Sequence, residues 1–143
     1  MPEIEFLVVA NHAEARAGLL YLSGACWTDL WRGLSPGAPP PINHFGIGVA
    51  VLIPWPETNR KHHLTLRIEN ADGKDLVRVE GDVEVGRPVG IPEGSEQRAV
   101  IALNADLQFP SPGVYQVVAG LGDQVRHVSF RVHDEAQPSV AGV

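Results

Sequence analysis

The chain has 143 residues, 11 basic against 17 acidic, for a formal charge of −6, and contains 15 glycines and 12 prolines. One domain with a single core suits this length, and 44% apolar with 20% charged residues argues against a disordered chain. Lys and Arg are scattered singly apart from Arg60-Lys61, so no basic stripe exists to displace the counterions of a nucleic acid.

Taken in chain order, two-residue alternation recurs and helical periodicity is scarce. Ile4 to Ala10 reads as a strand, followed by Leu19 to Ala25, where Leu20 and Leu22 share one face and Leu19, Tyr21, Ser23 and Ala25 the other. Pro36 to Pro41 makes a stiff connection, since proline cannot donate to a ladder. Gly46 to Ile53 is the next strand. Leu64, Leu66 and Ile68 alternate with polar residues, Asn70-Ala71-Asp72-Gly73 supplies turn chemistry, and Val77, Val79, Val83 and Val85 alternate with Arg78, Glu80, Asp82 and Glu84, with Gly81 in one inward slot. Residues 64–85 therefore read as an antiparallel hairpin. Arg98 to Leu103 follows. A second hairpin carries Tyr115, Val117 and Ala119, then Gly120-Leu121-Gly122-Asp123, then Val128, Phe130 and Val132. About eight short strands without helices predict an all-β antiparallel sandwich, one domain over residues 1–134, with residues 135–143 as a frayed tail.

Two strands carry no charge on either face. Ile47, Val49, Val51 and Ile53 can face the core, yet Gly46, Gly48, Ala50 and Leu52 opposite them are small or apolar, and Tyr21 lies on a similar face. Such a surface is expected to be covered, by the chain's own Pro-rich loop or Trp segment, or by a second subunit. The expectation drawn from it is a homodimer.

Catalytic signatures are absent: there is no G-x-S-x-G elbow, phosphate loop or H-E-x-x-H pair. Gly46-x-Gly48 has no third glycine and no following helix, and the calcium-like Asn70-x-Asp72-Gly73-x-Asp75 puts Ile68 and Val79 where ligands are needed. Six histidines invite a metal reading. His62 and His63 are adjacent and point to opposite faces of a strand, while His127 and His133 lie about 20 Å apart along one strand and read as solvated face residues. His12 and His44, at a strand end and a strand start, could converge at one end of the sandwich, with His62 or His63 as a further candidate. No cofactor is implied. The lone Cys26 forms no intrachain disulfide and reads as an inert core thiol. With no basic n-region, and no apolar run near the roughly 20 residues of a spanning helix, a cytoplasmic location away from the membrane is expected.

The most unusual segment is Trp27-Thr28-Asp29-Leu30-Trp31-Arg32, with Trp55 as a possible companion. Trp27 and Trp31 are expected to share a face, and Trp and Arg are frequent interface anchors. The alternative is a hydrophobic lid on one end of the sandwich.

Several motifs together resemble a bacterial family of small domains of unknown function. They are Ala10-Asn11-His12, then Gly18, Leu20, Tyr21, Gly24, Ala25 and Trp27, then Asn59, His62, Leu64 to Ile68 with Asp72-Gly73, and finally Pro112, Gly113, Tyr115 and Phe130-x-Val132. The resemblance spans residues 4–133 and implies an immunoglobulin-like sandwich. It brings no activity or catalytic residue. The expectation is a non-enzymatic module that self-associates and binds a protein or peptide, through the Trp27/Trp31/Arg32 end or an exposed strand edge. The alternative is a small histidine-based or metal-dependent enzyme at His12, His44, His62 and His63.

Overall fold

The computed structural model describes residues 1–34 and 36–135. Nine strands are present among them: β1 (Glu3–Arg16), β2 (Leu19–Ala25), β3 (Asp29–Gly33), β4 (Asn43–Ile53), β5 (His62–Asn70), β6 (Asp75–Val83), β7 (Gln97–Leu107), β8 (Gly113–Leu121) and β9 (Gln124–Glu135). The only helical element described is the short 3-10 turn Trp55–Glu57, so no helix there is long and apolar enough to cross a membrane. The strands form a four-stranded sheet in the order β2-β1-β4-β7 and a five-stranded sheet, β3-β9-β8-β5-β6, that curls as a half-barrel. The all-β, two-sheet expectation holds with one strand more than the sequence suggested. Strand β9 runs to Glu135, and the rest of the expected tail, 136–143, lies outside the described residues.

The core forms where the alternation places it. Leu64, Leu66 and Ile68 from β5 and Val117 and Ala119 from β8 meet Ile47, Val49, Val51 and Ile53 from β4, all buried. At one end Phe45, Phe109, Tyr115 and Phe130 pack ring on ring, with centroids 4.9–6.1 Å apart. Tyr115 donates its hydroxyl to the Ser111 carbonyl at 2.6 Å, fixing the corner where the chain enters β8. Asn70 fixes the β5–β6 turn by accepting from the amides of Asp72 and Lys74, and Gly73 takes the positive φ of +81° that the turn needs. The calcium-like residues therefore serve the hairpin, as expected.

The uncharged face of β4 is covered from within the chain. The ladder from β1 to β4 ends at Ala10–Gly46, whereas the ladder from β1 to β2 runs from Ala10–Ala25 to Arg16–Leu19. The second half of β1 thus leaves β4 and carries β2 with it across the outer face. Asn104 of β7 fastens this flap, accepting from the Ala13 amide at 3.0 Å and donating to the Ala13 carbonyl at 2.7 Å. A Cβ on Gly46 would lie 2.6 Å from the Ala13 nitrogen, and one on Gly48 would lie 2.9 Å from Leu22 Cδ2 and 3.1 Å from Leu20 Cδ2. Leu20 and Leu22, the shared face of β2, therefore point at the outer face of β4. At the other end of the same face, Arg98 of β7 reaches Glu5 of β1 through two hydrogen bonds of 2.6 and 3.0 Å.

Candidate functional site

The residues proposed as a subunit interface mostly have partners in their own chain. Gly46, Gly48 and Ala50 are buried and Leu52 is half-buried, while Tyr21 is exposed with the Arg16 guanidinium 5.6 Å from its ring centre. The observation behind the homodimer expectation is met by the β1–β2 flap, a cover that local alternation could not reveal.

The tryptophan set is divided. Trp27 packs edge-on against Phe45 and Phe130, Trp31 on β3 is 55% exposed, and Trp55 lies past the far end of β4, about 26 Å of strand from Phe45. Trp27 and Trp31 therefore do not share a face, though both border a shallow hollow with Asn11, Gly24, Ala25 and Asp29. Arg32 is not a surface anchor. It is 3% exposed, ion-paired to Asp134 and donating to the Phe109 carbonyl. Trp55 is stacked under Arg87, whose guanidinium carbon sits 4.1 Å from the ring centre while its nitrogens bind the Trp55 carbonyl and Thr58. Cys26 also departs from expectation: it is exposed, with φ of 69°.

A cluster that no motif in the sequence marks surrounds Trp31. β3 lies parallel to β9, setting Asp29 beside Arg131 and Trp31 beside His133. The His133 ring stacks on Trp31 with centroids 4.1 Å apart and bonds Asp29 at 2.6 Å, and Arg131 holds Asp29 through contacts of 2.7 and 3.0 Å. Arg131 first, then His133 and Thr28, keep the Asp29 carboxyl well below the ordinary carboxylate range. His133 is thus a bonded residue rather than a solvated one. Only its period-2 relation to Arg131, facing an acidic segment, hinted at this.

The histidines converge in part. His12 Nδ1 stands 3.1 Å from His44 Nε2, His44 Nδ1 is 2.8 Å from Asp106, and His12 Nε2 is 3.3 Å from Glu14. Arg16 first, then His12, lower the Glu14 carboxyl below its ordinary range. His62 and His63 lie at the opposite end, where β5 starts. His62 bonds the Glu57 carbonyl at 2.8 Å, and His63 faces Glu80 and Asp82 on the other side of the strand. No three His, Cys, Asp or Glu side chains among the described residues form a group able to hold a metal.

A cleft opens between the two sheets where β6 and β7 are both edge strands. It measures about 200 Å³ and is floored by Leu64, Leu66 and Val83 on one side and Ile101 and Leu103 on the other. Gly81 stands at its mouth, and a Cβ there would meet nothing within 4 Å. The gap in the valine series, noted as one inward slot, is the sequence signal of this opening. The alternate positions of β6 carry Arg78, Glu80 and Asp82, and the two carboxylates, at the rim of the cleft, are bridged to Arg78 and His63.

A family model described as a family of unknown function (DUF6941) matches residues 5–133. No curated protein matches the chain.

Proposed function

Because the chain belongs to this family, which brings no assigned activity, we propose from the geometry that it is a non-enzymatic binding module that takes up an extended protein segment along β6. The observation that carries the reading is the open apolar cleft at Gly81, beside an edge strand whose outer side chains are mainly acidic. A strand added to β6 satisfies free backbone groups, as in other edge-recognition modes. Its inward side chains are apolar, filling the space between Leu64 and Leu103, and its outward side chains are basic, facing Glu80 and Asp82.

An immunoglobulin-like arrangement belongs to the same proposal. The parallel strand β3 beside β9 and the Tyr115 corner support it, since such a tyrosine bonds backbone a few residues upstream in these sandwiches. The exposed, unpaired Cys26 supports a reducing, cytoplasmic setting.

The test uses a fluorescently labelled nine-residue peptide alternating Lys and Val, its Glu–Val counterpart, and anisotropy as the readout. The Lys–Val peptide binds the intact protein at least tenfold more tightly than the Glu–Val peptide, and Gly81→Phe removes the difference by filling the cleft. Equal binding of both peptides, or undiminished binding to Gly81→Phe, overturns the reading. Light scattering on the same samples assigns the β6 edge instead to a second copy of the chain if the mass is already that of a dimer and Gly81→Phe returns it to a monomer.

A further inference from the structure

His44 pairs with Asp106 across the β4–β7 ladder, and His12 of β1 stacks on His44 with ring centroids 5.3 Å apart. An ionised carboxylate is only an acceptor. Asp106, 2.8 Å from His44 Nδ1, therefore accepts the proton of His44 from that nitrogen and leaves the lone pair on His44 Nε2, while Glu14 lies 3.3 Å from His12 Nε2. His12 Nδ1, 3.1 Å away, donates to that lone pair on His44 Nε2, so the two rings share one hydrogen bond. A metal ion that displaces this one proton meets two imidazole lone pairs, one from each ring.

We propose that His12 and His44 together bind one divalent first-row transition metal ion. Two imidazole nitrogens bound at about 2.0–2.1 Å stand about 2.9 Å apart in cis square-planar geometry and about 3.3 Å apart in tetrahedral geometry. The observed 3.1 Å lies between these. Asp106 and Glu14 occupy the outer nitrogens as carboxylates do behind metal-binding histidines, where they fix the tautomer and raise the basicity of the ligand. The two rings are 44% and 46% exposed, so each is free to turn its lone pair onto a common ion, and water completes the coordination sphere. Imidazole donors favour nickel, copper and zinc over magnesium or calcium. The ion would join β1 to β4 two residues beyond their last ladder pair, Ala10–Gly46, at the root of the flap.

Nickel(II) is the probe, titrated calorimetrically into the full chain in a non-chelating buffer, with proton NMR of the histidine rings. One ion binds per chain, and the His12 and His44 ring resonances broaden before those of the other four histidines. His12→Gln and His44→Gln each weaken binding at least tenfold, and Asp106→Asn weakens it by roughly 10-fold or more. His63→Gln and Cys26→Ser leave it unchanged. Equal affinity of wild type and His12→Gln, first broadening at His62, His63 or His127, or no binding at millimolar nickel overturns the site.

Discussion

Asp29 joins Arg131, His133 and Thr28 at the start of β3, and these contacts hold a five-residue strand against β9. Its carboxyl titrates lower in the folded chain than its ordinary 3.8, so its contribution to stability is complete above that value and is lost as the pH falls below it. Asp29→Asn is therefore expected to unfold at lower urea than wild type at neutral pH, with the gap narrowing from about pH 4 downward. A gap independent of pH in chemical unfolding curves contradicts this assignment. The neighbouring pair shows why β3 was illegible in the sequence. Trp31 faces out and Arg32 faces in, the reverse of the usual pattern, because Asp134 and the Phe109 carbonyl neutralise the buried guanidinium. A reading based on apolar-in alternation passes over such a strand.

Among the elements, the hairpins were legible where local chemistry decides them. The valine alternation and the Asn70–Gly73 turn place β5 and β6, and their register, Leu66 with Val79 and Ile68 with Val77, follows from it. The β1–β2 flap was not legible, because its position depends on Asn104, which lies 91 residues from Ala13 in the chain. The glycines beneath the flap differ in what surrounds them, and this gives a graded expectation. Gly46→Ala meets backbone, at 2.6 Å from the Ala13 nitrogen, and must displace the flap. Gly48→Ala meets only the flexible ends of Leu20 and Leu22. Gly46→Ala is expected to cost about 1–3 kcal/mol, the usual range for overpacking, and Gly48→Ala clearly less. Thermal or urea unfolding of the two variants measures the order, and a larger loss for Gly48→Ala contradicts the flap as described.

At the scale of the whole molecule, one broad surface is closed and one side is open. The face that looked available for a partner, over Gly46, Gly48 and Ala50, is covered by the chain's own flap, while between β6 and β7 the cleft at Gly81 is lined by half-buried Ile101 and Leu103 and leads down to the buried Leu64 and Leu66. The sequence carried both features as missing side chains, and the difference between them is whether another element lies above the glycine. His12 and His44 met because β1 and β4 run side by side up to Ala10–Gly46, whereas His62 and His63 start β5 at the far end. Spacing along the chain carries no information about which strands become neighbours.

The proposed binding mode is tested most directly by backbone amide chemical shifts of the isotope-labelled protein during titration with the Lys–Val peptide. The account predicts shifts concentrated on Val77 to Val83 of β6 and around Ile101 and Leu103 of β7, with Trp31 and His133 unmoved. Shifts centred on the Trp31 side of β3, or none at saturating peptide, would contradict it.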